Sequence, residues 1–371
     1  AGGNLFVPVS SLEVITAANP DYVCCTFRGH ILAVDGDSGS IIWDSYAIPT
    51  PPKAVGATRL GTEVLAPSGA PVWTSPTIDV DRNLLIFGTG ENYSSPADTN
   101  SDSIIAVALD TGERLWSRQT FPGDAWNVAC MMADNPNCPE EDGPDFDQAS
   151  SPLLVEVGNG KTLVVAGQKD GRVFALDSET GQTKLWEVKL GRGSIQGGVH
   201  FGMAAAGTTV FVPMNDMNDT RNGEWLDPDQ ARPGVSAVNA VTGKVLWQYV
   251  QENVCGEGRP FCDPGVSAAL TAIDGAVIAG HLDGLVRAYD SATGDILWSY
   301  DTKTPSMGTN GVSARGGGMS GSGPAIGAGH MVLNSGYGLY NHEPGNALLV
   351  FAPRSKEGDS VAAVHDAGVA Q

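Results

Sequence analysis

The sequence predicts an all-β protein, a β-propeller of four-stranded antiparallel blades. Three observations predict it. One phrase recurs five times, and every copy ends in a tryptophan. Each copy reads as strand, tight turn with glycine, strand. Glycine is abundant, 48 of 371 residues, as a chain full of tight turns requires. A repeated antiparallel unit of this size cannot bury its own faces and must stack on its neighbours.

The copies fall in order along the chain. They are AVDGDSGSIIW ending at Trp43, AVALDTGERLW at Trp116, ALDSETGQTKLW at Trp186, AVNAVTGKVLW at Trp247 and AYDSATGDILW at Trp298. Successive tryptophans are 73, 70, 61 and 51 residues apart, whereas a bare blade needs about 40 to 50. The early blades therefore carry insertions, at 44–75, 91–103, 121–150, 213–234 and 250–265, rich in Pro, Asn, Asp and Gly. Such insertions gather on one face and build a site. The repeat tryptophans are structural, each ring lying between blades with its N–H on a carbonyl. Trp73, Trp126 and Trp225 break the pattern.

The opening AGGNLFVPVSS already reads as a strand, and the final strands near GHMVLNSGY and ALLVFAP lack the tryptophan ending. A propeller closes by pairing strands from its two termini. The expectation is a propeller over 1–354, a polar tail over 355–371, and earlier blades missing from this chain. A complete small propeller is the other account.

Net charge is −21, with 42 acidic against 21 basic residues. Nucleic acid and anionic membrane surfaces are poor partners for such a chain. No apolar stretch is long enough to span a bilayer. The six cysteines fall into near neighbours: Cys24 with Cys25, Cys130 with Cys138, Cys255 with Cys262. Local closure as disulfides suits an oxidising compartment, periplasmic or secreted. There is no CxxCH haem motif and no CxxC.

Residues fit for chemistry sit at blade edges. Glu13, with Glu91 or Asn92, offers hard oxygen donors that suit calcium or magnesium. Adjacent cysteines can form a vicinal disulfide, a flat sulfur surface. Arg28 follows closely and can pair with a carboxylate or an anionic cofactor. Asp124, Trp126 and Asn127 lie in TFPGDAWNVAC. No GxGxxG occurs in a βαβ setting, so a nicotinamide dinucleotide is not expected.

Several segments carry a resemblance. SSLE, ANPDYVCCTFRG, VWTSPTID, GTGENY, PGDAWNVAC, GPDFDQASSP and AGQKDG occur here in order. They resemble the alcohol dehydrogenases that depend on pyrroloquinoline quinone (PQQ), most closely the polyvinyl-alcohol dehydrogenase branch. The resemblance implies an eight-bladed propeller holding PQQ and Ca²⁺ on its axis, with the first blades absent here. It implies that Glu13 and Glu91 or Asn92 bind the metal. Cys24 and Cys25 would cover one quinone face and Trp73 the other. Lys169 would stabilise the charge that the ring gains on reduction.

One departure bears on the mechanism. Methanol-oxidising relatives read PHDEWD, where the last aspartate is the proposed general base; this chain reads PGDAWN, so Asn127 takes that place. Asp124 is the nearest carboxylate and the preferred base, with Asn127 on metal or substrate. The expected reaction is oxidation of an alcohol, secondary or polymeric, with electrons passed to a cytochrome c or dye. The alternative is a non-catalytic propeller that binds proteins on its rim, which has no need for the cysteine pair, Trp73 and oxygen donors together.

Overall fold

The computed structural model describes residues 1–181, 184–217, 228–256, 259–338 and 340–353. Trp225, part of the 213–234 insertion and the tail at 355–371 lie outside them. Among the described residues, six antiparallel sheets of three or four strands follow one another along the chain, with two two-stranded hairpins between them. The first has three strands, Asn4–Val9, His30–Asp35 and Ile41–Tyr46. Four four-stranded sheets follow, and the sixth has three strands, Ala325–Gly327, His330–Ser335 and Ala347–Phe351. The repeated phrase forms the last two strands of each of the first five blades. Its alanine marks a recurrent β-bulge, at Ala33/Val34, Ala106/Val107, Ala175/Leu176, Ala237/Val238 and Ala288/Tyr289.

Stacking of blades is written into the same phrase. Separate apolar clusters join first to second, second to third, and onward to the sixth blade. Trp43, Trp116, Trp186 and Trp247 each lie on the turn glycine of the next blade. A Cβ on Gly112 would come within 2.6 Å of the Trp43 ring, and one on Gly243 within 2.7 Å of Trp186. The indole N–H groups of Trp43, Trp186 and Trp247 donate to Leu109, Ala240 and Ser291 carbonyls in those blades. Glycine is needed twice over, for a positive φ and for the ring.

Both ends of the stack present open faces. The corresponding Gly39 has φ 72° but open space where a ring would lie, and on the sixth blade Leu348 and Val350 are exposed. Gly243→Ala combines backbone strain with a ring clash, and is expected to lower Tm clearly more than Gly39→Ala in this chain, which meets only the strain, roughly 1–2 kcal/mol. Calorimetry of the two variants checks this.

At one end of the stack the loops are zipped together by single bridges, Arg28 to Gly69, Gly69 to Asn92, Asn92 to Ala125 and Ala125 to Gly143. Insertions from three blades thereby converge. Disulfides close Cys24–Cys25, Cys130–Cys138 and Cys255–Cys262. Among the described residues, no helix is long and apolar enough to cross a membrane.

Candidate active site

The second blade begins at Thr77–Asp79 and continues through Leu84–Gly88. The chain leaves it through Thr89 and Gly90 to Glu91. The loop 143–150, ahead of the third blade, returns to the same place. Gly90 makes that meeting possible: a Cβ there would come within 2.7 Å of an Asp147 carboxylate oxygen. The Glu91 N–H donates to that oxygen at 3.1 Å. Glu91, Asp145 and Asp147 are all buried, and each offers an oxygen within 4.8 Å of the others.

Two further groups complete the cluster. Lys169, at the end of the third blade's second strand, places Nζ 2.9 Å from both Asp145 and Asp147. Trp73 Nε1 donates to Asp147 at 3.0 Å, and Lys169 Nζ stands 5.6 Å from the Trp73 ring centroid. His200 and Phe201 pack edge-on against Trp73, at 5.6 and 5.8 Å. His200 bonds Ser267 through Nδ1 at 2.9 Å. Its burial, reinforced by Lys169, holds its pKa well below normal, so it adds no charge.

The electrostatics follow from one ammonium among three buried carboxylates. Burial pushes Glu91 well up, and Asp147 and Asp145 push it further. Burial also pushes Asp145 well up, against the pull of Lys169. Burial raises Asp147 too, but Lys169, Glu91 and Trp73 together outweigh it and hold Asp147 below the usual carboxylate range. Desolvation works against the Lys169 charge, yet the three carboxylates hold its pKa well above normal. The cluster thus holds an ionised Asp147 beside an ionised lysine, with uncompensated acid around them. Such a donor set, all oxygen and buried, fits a hard divalent cation.

The other sequence candidates have different surroundings. Glu13 opens the short helix Glu13–Thr16, and its carboxylate accepts from Thr26 N–H at 2.8 Å, Phe27 N–H at 2.7 Å and Tyr22 hydroxyl at 2.8 Å. It clamps the turn after the cysteines and is not among the three clustered carboxylates. Cys24 and Cys25 are buried against Ala17, Tyr93 and Phe27. Arg28 donates to the Ile48 and Pro49 carbonyls and lies over the Tyr46 ring at 3.9 Å.

Asn92 and Asn127 both hold backbone. Asn92 Oδ1 accepts from Asp98 N–H at 2.7 Å while Nδ2 donates to Ser68 O at 2.9 Å. Asn127 caps the turn Val128–Met131 through Ala129 N–H and donates to the Tyr93 and Asn137 carbonyls. The Asp124 carboxylate accepts the N–H groups of Asp145 at 3.1 Å and Phe146 at 2.7 Å. Burial pushes it up to about 6. It therefore supports the loop carrying Asp145 and Asp147. Those two residues were missed as site candidates, although they stand in GPDFDQASSP; their alternating Asp-x-Asp spacing was the available signal.

Comparison with known proteins gives this geometry a family. Residues 11–197, just over half of the chain, match the family model of the glucose/ethanol/alcohol dehydrogenase β-propeller domain, named for PQQ. The chain belongs to the PQQ-dependent alcohol dehydrogenase family. Residues 169–320 also match the model described as outer membrane protein assembly factor BamB. Among individual relatives of this quinoprotein chain, a polyvinylalcohol dehydrogenase of Sphingopyxis sp. is 35% identical over 352 residues, covering 94% of this chain and 53% of the relative. One from Pseudomonas sp. is 35% identical over 364 residues, covering 95% and 55%. The chain thus spans about half the length of these relatives. A solved quinohemoprotein alcohol dehydrogenase of Pseudomonas putida superposes with a TM-score of 0.60 at 16% identity, covering 98% of this chain and 61% of the other. That likeness shows the fold.

Proposed function

We propose that this quinoprotein chain carries the axial site of an alcohol dehydrogenase that oxidises secondary alcohols, polyvinyl alcohol among them, with PQQ and Ca²⁺. The observation that carries the reading is the buried cluster of Glu91, Asp145, Asp147, Lys169 and Trp73. Its uncompensated carboxylates fit a hard cation, and its indole and lysine fit a flat acceptor that gains negative charge. A rim-binding scaffold has no use for buried acid of this kind.

Glu91 and Asp145 are the carboxylates that would hold the cation, and Trp73 and the Cys24–Cys25 pair would hold the quinone ring. When bound, the cation supplies Lewis acidity and PQQ a two-electron acceptor carbonyl. Asp147, ionised and fixed by Trp73, Glu91 and Lys169, takes the hydroxyl proton of the alcohol. Lys169 counters negative charge on the acceptor side. Burial of all four ionisable groups keeps water from screening them. Asp124 acts one step back, holding the loop that aims Asp145 and Asp147. Glu13 fixes the turn that follows the disulfide, and Asn92 the turn that follows Glu91.

The open faces at Gly39 and at Leu348 and Val350 of the sixth blade support completion of the propeller by further blades of a longer protein, with a tryptophan on Gly39. Three disulfides support a periplasmic or secreted setting, and a cytochrome c is the acceptor of the electrons. The test is dye reduction by the protein loaded with PQQ and Ca²⁺, given 2-propanol or polyvinyl alcohol. Quinone-dependent turnover supports the reading. A protein that binds quinone and oxidises neither alcohol contradicts the substrate class.

A further inference from the structure

A cavity of 570 Å³ opens on the rim, away from the axial cluster. Three segments line it: the hairpin formed by Lys53–Ala57 and Glu63–Ala66, the stretch Ser94–Pro96, and Asn135–Glu141. All three belong to insertions that the blades do not need, and the second is the chain that leaves Glu91 three residues earlier. Cys24 lines the cavity as well, so it reaches both the path out of the carboxylate cluster and the disulfide.

Its walls are fixed, and the charged side chains among them are Arg59, Glu140 and Glu141. The Cys130–Cys138 bridge closes one wall, and Asn137 ties that wall to the Ala17, Asn19 and Tyr22 carbonyls at 2.9 to 3.1 Å. Arg59 donates to the Asp134 carbonyl across the mouth. Glu141 accepts from Ala97 N–H at 2.7 Å and from the Ser95 hydroxyl. A ligand meets apolar surface from Val55, Ala57, Val64 and Pro96, interleaved with backbone groups and with Thr58, Asn135 and Glu140, which can bond hydroxyls. This lining suits a neutral chain with a hydrocarbon backbone and regular hydroxyls, and offers little to an anion.

We propose that this rim cavity is an extended subsite for the repeat units of a neutral polyhydroxylated polymer, one hydroxyl of which reacts at the axial cluster. The inference rests on the reading above. A polymer whose one hydroxyl sits beside Asp147 must run its neighbouring units along the protein, and the loop from Glu91 to Pro96 joins the cluster to the wall of this cavity. Preformed, walled space lowers the ordering cost of holding a flexible chain.

The test fills the cavity from the exposed hairpin strand, with Ala57→Trp, and separately charges it with Val55→Lys. Neither residue belongs to the axial cluster. Two readouts are taken: polyvinyl-alcohol binding to the quinone-free protein by calorimetry, and kcat/KM of the loaded protein for polymer and for 2-propanol. The expected result is at least a tenfold loss of polymer binding and polymer kcat/KM in both variants, carried by KM, with 2-propanol within twofold of wild type. Polymer binding or polymer kcat/KM unchanged in both variants overturns the subsite, as does equal loss of both substrates in variants with wild-type Tm. Absence of 2-propanol oxidation in wild type counts against the alcohol dehydrogenase reading, and the binding arm still decides the subsite.

Discussion

Asp147→Asn is expected to lower alcohol turnover by roughly 10²–10⁴-fold, with quinone binding retained. The variant keeps an oxygen for the Trp73 N–H, and Lys169 keeps Asp145 at 2.9 Å, so no buried charge is left alone. What it loses is the one carboxylate of the cluster held below the usual range. The matched control is Asp124→Asn. Both Asp124 oxygens are occupied by backbone N–H groups, so this variant should lose stability more than intrinsic rate. Steady-state kinetics and calorimetry on the pair separate the roles. Near-normal kcat in Asp147→Asn with collapse in Asp124→Asn would return the base to Asp124.

Glu91→Gln is expected to weaken Ca²⁺ binding by at least the roughly 10- to 100-fold that loss of a supporting contact costs a metal site. The cause is electrostatic: Glu91 is one of three carboxylates sharing a single ammonium, and Ca²⁺ affinity follows ligand charge. Bound Ca²⁺ raises Tm by mass action, so a Ca²⁺ titration of Tm reads the change. Asn92→Ala gives the contrast. Its amide holds Asp98 N–H and Ser68 O, so Tm should fall by a similar amount with and without Ca²⁺. The reverse pattern would make Asn92 the ligand.

The blade repeat was legible because its cause is local. The glycine that turns each hairpin also receives the preceding tryptophan, so one phrase encodes both turn and stacking. The disulfide pairs were legible for the same reason, each joining near neighbours in sequence. Trp73 and Lys169 were legible as candidates through family wording, and the structure brings them together. Asp145 and Asp147 were not singled out, since they meet Glu91 only when a loop 56 residues downstream folds back onto Gly90. Nothing periodic marks such a contact. Glu13, Asn92 and Asn127 show the converse limit. A sequence displays their oxygens and amides but not the backbone groups that have already claimed them.

The most direct measurement is an absorbance titration of the protein with PQQ, in Ca²⁺ and in chelator, on this chain and on a longer protein carrying further blades. The account predicts saturable binding that needs Ca²⁺, is lost with Trp73→Ala, and gives a quinone that 2-propanol bleaches. Absence of Ca²⁺-dependent quinone binding in both proteins would contradict it.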